Sequence, residues 1–219
     1  MNNHALKLHH PTQTNQSPRC EPRDDTEYVA FRYGDPKYAA LLRQFFRLRK
    51  QVFIDEMEWD LNEYDGMEID QYDQETAEYI LQVKNGVCVG GCRLLPTTTK
   101  IERDGEEFTY MLRDARLGRL KSFPTSVTER VPVCDKVWEL TRVISAKNPV
   151  GFRDLMEQVR FRLKAYDVTD CLFITRTAIS RICKFWGYDI EVVGPELTFG
   201  TMKAVTVNCK IEYFKDKVA

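Results

Sequence analysis

The chain has 219 residues, 43% of them hydrophobic, and a formal net charge of −1 at pH 7. That is enough for one globular unit with a full core, and the near-zero charge excludes a globally basic nucleic-acid binder. No apolar run approaches the roughly 20 residues a membrane helix needs, and the N-terminus lacks the apolar core of a secretion signal, so a cytoplasmic protein is expected.

In chain order, residues 1–26 are rich in Pro, Gln, Asn, Thr and His and show no period of 2 or 3.6. They are expected to form a disordered extension, with 27–219 as a single domain. All three histidines, His4, His9 and His10, fall in the extension. The expected domain therefore offers no histidine for Ser-His-Asp or Cys-His nucleophiles or for the usual zinc hydrolase sites. The seven cysteines are odd in number, include no CxxC, and sit mostly in apolar runs such as VCVGGC and DCLFIT. They read as reduced core thiols, and no metal is expected.

Glu27–Tyr33 alternates like a first strand. Asp35-Pro36 then supplies an N-cap and a first-turn proline for a helix over 36–57, whose buried face is Leu41, Leu42, Phe45, Phe46, Val52 and Phe53. An irregular loop is expected from Glu58 to Asp73, broken at Tyr64-Asp65-Gly66. Thr76–Lys84 and Val87–Leu95 are two strands joined by Asn85-Gly86, a type I′ hairpin signal. Gly90-Gly91 within the second predicts a bulge or a close backbone approach by a ligand. A polar stretch over 97–132 carries a short helix near 110–120. A strand over 136–145, a helix over 151–166, a strand over 171–175, a helix over 178–186 ended by Gly187, and strands over 189–193 and 203–214 complete the chain. Helices between strands, with hairpins at both ends, predict a mixed α/β sheet covered on both faces, hence three layers.

Charged residues attached to apolar segments carry the chemistry. Arg49 lies between Phe45, Phe46, Val52 and Phe53, so its guanidinium leaves the apolar side of a helix and needs partners. Asp70, Asp73 and, farther along, Glu139 are the expected supply. Arg93 leaves an apolar strand, and Arg142 sits in the strand WELTRVI. In a regular strand Trp138, Leu140 and Arg142 share one face and Glu139, Thr141 and Val143 the other, although a bulge would change that. Three arginines and three carboxylates can form a structural ion network or a cleft for a zwitterionic, amino-acid-like substrate. Phe53 and Trp59 border the cluster, as core packing or as faces for an organic cation.

Taken together, Arg49, Phe53, Trp59, Asp70, Asp73, Arg93, Glu139 and Arg142, with the ExDxxD run from Glu68, the RLLPT at Arg93–Thr97 and WELTR, resemble the acyl-homoserine-lactone (autoinducer) synthase family. The resemblance covers about 27–207. It implies a three-layer α/β/α sandwich with a mixed, mostly antiparallel sheet, similar to GCN5-type N-acyltransferases. It also implies transfer of an acyl group from acyl carrier protein, or in some members coenzyme A, to the amine of S-adenosylmethionine, followed by lactone closure with loss of methylthioadenosine. S-adenosylmethionine is then a substrate, and no cofactor is required.

On this reading Glu139 is the expected base, directly or through a water. Backbone N–H groups around Thr141–Ser145 meet the oxyanion where a neighbouring strand splays away, and Arg49, Asp70, Asp73 and Arg142 fix the ends of the substrate. Phe53, Trp59, Arg93, Thr141 and Ser145 are expected to contact it. Thr175 falls where many members have a threonine linked to acyl chains substituted at the third carbon, and it reads equally as a packing residue. Arg153, Arg160 and Lys164, with Arg162 nearby, make one helix basic on part of its surface and suit an acidic carrier protein. The chain lacks a QxxGxG loop for coenzyme A pyrophosphate; residues 146–151 are a loose substitute. Ala115 and Arg116 replace the Val-Phe pair common in the family's MLxDVF stretch, and Val143 replaces the common phenylalanine after the WExxR arginine. The alternatives are an acyltransferase acting on another amine, and a non-catalytic binding protein of the same fold.

Overall fold

A computed structural model describes residues 26–211 apart from Asp104, Ser122 and 146–148. The extension expected over 1–26 therefore lies outside the described residues except for Thr26, as do 146–148 of the loop at 146–151 and the expected strand end at 212–214. β1 (Thr26–Arg32) leads to Asp35, whose side chain accepts from the Lys37 backbone N–H at 2.9 Å, and Pro36 then opens a 3₁₀ turn before α1 (Ala39–Arg49). The same rod continues as a π-helix over Lys50–Glu56, so the single helix expected over 36–57 is three kinds of helix in succession. The wider turn brings side chains five apart together, pairing Lys50 with Asp55 and Gln51 with Glu56. π-Turns of this sort recur near functional sites.

The loop after it is less irregular than expected. β2 (Glu63–Tyr64) and β3 (Met67–Glu68) form a small hairpin around Asp65-Gly66, both at positive φ, which is the Asp-Gly turn chemistry of a two-residue hairpin. β4 (Glu78–Lys84) and β5 (Val87–Pro96) follow, joined by Asn85-Gly86 at φ 52° and 76° as expected. A second small hairpin, β6 (Ile101–Arg103) with β7 (Glu106–Phe108), lies in the stretch read only as polar, and α2 (Met111–Arg116) is shorter than expected. Next come β8 (Val137–Ile144), α3 (Pro149–Ala165), β9 (Asp170–Arg176), α4 (Thr177–Phe185), β10 (Asp189–Val192), β11 (Leu197–Phe199) and β12 (Met202–Lys210).

The main sheet runs β1-β4-β5-β8-β9-β12-β10, with β11 added on β12. Every pair is antiparallel except β8–β9. Alternation along β4 shows how the two faces are filled. Tyr79 and Leu81 pack with Phe45, Phe46 and Phe53 of the α1 rod and Leu112 of α2. Ile80 points the other way, into a core with Leu155, Val159 and Leu163 of α3 and Cys183 of α4. The result is the expected three-layer α/β/α arrangement.

Three irregularities position the site. Register shifts in β5 opposite both neighbours make the bulge expected at Gly90-Gly91. A Cβ on Gly90 would stand 2.7 Å from the Ile144 carbonyl and closer still to the Gln82 side chain. The glycine thus admits β8 and Gln82, where a ligand was the alternative. Arg142 has φ 54°, a conformation costly for a side chain with a Cβ. Finally, β8 and β9 pair only through Val137–Glu139 and Asp170–Leu172. Beyond these residues the two strands part.

Candidate active site

Arg49 is fully buried on the apolar side of α1, flanked by the rings of Phe45 and Phe46. Its Nε donates to Glu68 Oε2 at 2.5 Å, and its two terminal nitrogens make a bidentate pair with Asp73 at 2.8 Å each. Arg93 reaches the same carboxylates from β5. It donates to Asp70 Oδ1 at 2.5 Å, to Asp73 Oδ1 at 2.8 Å and, through Nε, to Thr141 Oγ1 at 3.1 Å. Arg142 joins from β8, donating to both oxygens of Glu68 and to Asp70 Oδ2 at 2.9 Å. Tyr79 adds a hydroxyl to Asp73 Oδ1 at 2.6 Å. Three guanidinium groups and three carboxylates are thereby mutually neutralised.

Two expectations need correction here. The third carboxylate of the network is Glu68, seen in the sequence only as part of the ExDxxD run, and not Glu139. The short β2–β3 hairpin turns Glu68 inward; its Asp-Gly turn was the signal that could have found it. Arg142 also leaves the face it would share with Trp138 and Leu140 in a regular strand. Its positive φ is a bulge that swings the side chain to the Thr141 side, while Val143 returns to the α3 side and Ile144 to the α1 side.

Glu139 stands beside this network and is held differently. Its oxygens accept from the backbone N–H groups of Met111 and Leu112 at 2.9 and 2.7 Å, at the start of α2. Burial pushes its carboxyl up to about 7, opposed by those two amide donors and by Arg93. Two amide bonds leave lone pairs on both oxygens. Asp73 contrasts with it. Burial raises its pKa, but Arg49 and Arg93 with their hydrogen bonds more than reverse this and hold it below the usual carboxylate range.

Sequence reading missed the brace behind Glu139. Asp114 is buried in α2 and accepts from Thr109, the Tyr72 hydroxyl and Arg119. The Tyr72 ring lies under Arg93 with its centroid 5.5 Å from the guanidinium carbon, so one tyrosine joins the ion network to α2.

Exposure sorts the cluster. The side chains of Arg49, Glu68, Asp73 and Arg93 are at most 1% exposed, whereas Asp70 and Arg142 keep 10% and 9%. Phe53 and Trp59 stack at 5.2 Å and 13°, with Arg142 over Phe53 at 5.6 Å. Ser145 is half-buried at the end of β8, and Thr175 is half-buried on β9 opposite Val205. On α3, Arg153 and Lys164 are exposed, Arg160 is bonded to Glu157, and Arg162 turns away to Glu78 and Tyr166. Among the described residues no group of three or more His, Cys, Asp or Glu could hold a metal ion, and no helix is long and apolar enough to cross a membrane.

The profile of the autoinducer synthase family matches residues 35–216. An acyl-homoserine-lactone synthase of Aliivibrio fischeri is 30% identical over 184 residues, covering 78% of this chain and 87% of its own length. The crystal structure of the synthase LasI superposes with a TM-score of 0.67 at 25% identity, covering 85% of this chain and 90% of its own. A coenzyme A-dependent acyl-homoserine lactone synthase, BjaI, solved with S-adenosylmethionine and isopentyl-CoA, superposes with a TM-score of 0.69 at 23% identity over 86% of this chain and 84% of its own.

Proposed function

The chain belongs to the autoinducer synthase family, and we propose that the cleft between Asp70, Arg142 and Glu139 is where it joins an acyl thioester to S-adenosylmethionine. The chain is an acyl-homoserine-lactone synthase, making a quorum-sensing signal. One observation carries the placement of its site. The partly open edge of the ion network, the Phe53–Trp59 stack and the Glu139 carboxylate all lie on one side of β8, at the point where β9 leaves it.

The substrate is a zwitterion with an added sulfonium charge. Asp70 faces its ammonium and Arg142 its carboxylate, while the stacked rings of Trp59 and Phe53 face the sulfonium. Arg49, Glu68, Asp73 and Arg93 are too deeply buried to touch it and act as positioning residues, fixing the two groups that do. Glu139, near neutrality in its affinity for a proton, takes one from the ammonium directly or through a water. The amine attacks the thioester carbonyl and the oxyanion meets N–H groups of Thr141–Ser145. As the C–N bond forms and C–S breaks, the leaving thiolate takes the proton held by Glu139, and the attacking nitrogen gives up its second proton to Glu139 and from there to water. A substrate carboxylate oxygen then attacks the carbon bearing sulfonium, forming the lactone C–O bond and breaking C–S to release neutral methylthioadenosine. That step is governed by orientation.

For the donor, exposed Arg153 and Lys164 support an acidic carrier protein docking along α3, with Arg160 contributing only if it exchanges Glu157 for the carrier. Acyl-coenzyme A is the second reading, favoured by the likeness to BjaI. The reaction is placed in the cytoplasm, and no cofactor takes part. Mass spectrometry of the purified protein with S-adenosylmethionine and both kinds of thioester tests this. Methylthioadenosine and an acyl-homoserine lactone are expected; free thiol without methylthioadenosine would sink the proposed second step.

A further inference from the structure

The face of the sheet away from the ion network holds a cavity of about 30 Å³. Leu140 and Phe173, the first residues beyond the last paired couple of β8 and β9, both line it. Behind them are Met156 of α3 and the thiols of Cys171 and Cys209, and Tyr188 is part of the far wall. The polar groups behind that wall are already engaged: the Tyr188 hydroxyl donates to Glu157 Oε1 at 3.1 Å, and Arg160 donates to the other Glu157 oxygen at 2.9 Å. Lys210, also at the wall, is paired with Asp170 at 2.6 Å.

One water-sized group needs about 10–15 Å³ of such free volume, so the cavity takes about two or three methylene-sized groups beyond a carbonyl and α-carbon held in the β8–β9 cleft. A longer chain would have to break the Tyr188–Glu157–Arg160 contacts or displace packed side chains. We infer that this enzyme transfers a short acyl group of about four or five carbons, straight or branched and without a polar substituent at the third carbon, with Tyr188 and Met156 setting the limit. Thr175, two residues beyond Phe173, is not among the residues lining the cavity. The inference rests on the synthase reading of the β8–β9 cleft.

The test uses the full chain with S-adenosylmethionine and butanoyl, isovaleryl, 3-oxohexanoyl, octanoyl and dodecanoyl thioesters, each as the carrier-protein and the coenzyme A ester, reading methylthioadenosine release and product mass. One methylene too many in an apolar pocket costs about tenfold or more in kcat/KM, so octanoyl should fall at least tenfold below butanoyl or isovaleryl. Tyr188→Leu and Met156→Ala should each raise the octanoyl-to-butanoyl ratio about tenfold; a ratio within one enzyme is independent of how much of it is folded. Preference of the unaltered protein for octanoyl, dodecanoyl or 3-oxohexanoyl would overturn the inference. So would a ratio unmoved in both variants. Methylthioadenosine release with no donor at all would instead overturn the synthase reading beneath it.

Discussion

The two faces of the one sheet are filled in opposite ways. Toward α1, six charged side chains form one network, four of them buried and two partly open, and each is bonded to an opposite charge. Toward α3 and α4 the core is apolar and rich in sulfur, with Cys92, Cys171, Cys183 and Cys209 pushed above the ordinary thiol range by burial. The difference teaches how labour is divided across β8. A self-neutralised network can hold a charged substrate in fixed geometry only because each buried charge has a partner, whereas the apolar face can offer an acyl chain little beyond volume.

Breaking the charged face should have the largest effect. Arg49→Ala leaves buried Asp73 without its main partner and Glu68 with Arg142 alone, and removing one member of a buried pair costs about 3–5 kcal/mol. Denaturant unfolding should show that loss, together with near-complete loss of turnover; an unchanged midpoint would mean the network contributes little. Glu139→Gln touches the same face without unbalancing the network. It should lower turnover by about 10² to 10⁴ while the circular dichroism spectrum stays native, and normal turnover would remove Glu139 as the base.

Away from the cavity, the apolar face should respond in stability and not in S-adenosylmethionine binding. Leu155 is fully buried in α3, so Leu155→Ala should cost about 2–5 kcal/mol and leave the KM for S-adenosylmethionine unchanged. A raised KM would show that the two faces are not separable. The smallest effect is on pH dependence, where two carboxylates of the charged side have opposite signs. Glu139, raised to about 7, stabilises the fold fully below its unfolded value of about 4.3, and that contribution is lost as pH rises through 7. Asp73, depressed by Arg49 and Arg93, stabilises above its unfolded value of about 3.9 and loses this in acid. Glu139→Gln should therefore gain stability relative to the parent between pH 5 and 8. The parent's turnover should show an acid limb centred near pH 7; a limb centred near 4 would contradict the raised pKa.

The residues of the site were legible before their arrangement was. Arg49 stood out because aromatic side chains occupy its i−4, i−3 and i+4 positions, and Asn85-Gly86 fixed the β4–β5 hairpin through turn chemistry that acts over two residues. The β6–β7 hairpin and β11 were not legible. Each has three residues per strand, too few for alternation to rise above the polar sequence around it.

By itself, then, the sequence determined the elements with long periodic runs and the pool of charges bound to apolar segments, since both follow from spacing along the chain, while at Gly90-Gly91 it left a bulge or a ligand approach open. Tertiary structure alone decided that Glu68 completes the ion network while Glu139 goes to the amides of α2, that Arg142 crosses to the other face, and that the cavity beyond Leu140 is small. Which carboxylate meets which guanidinium depends on how β3, β5 and β8 approach across long sequence separations. The positive φ of Arg142 has no signature in residue type, and cavity volume is what remains after side chains from six elements have packed.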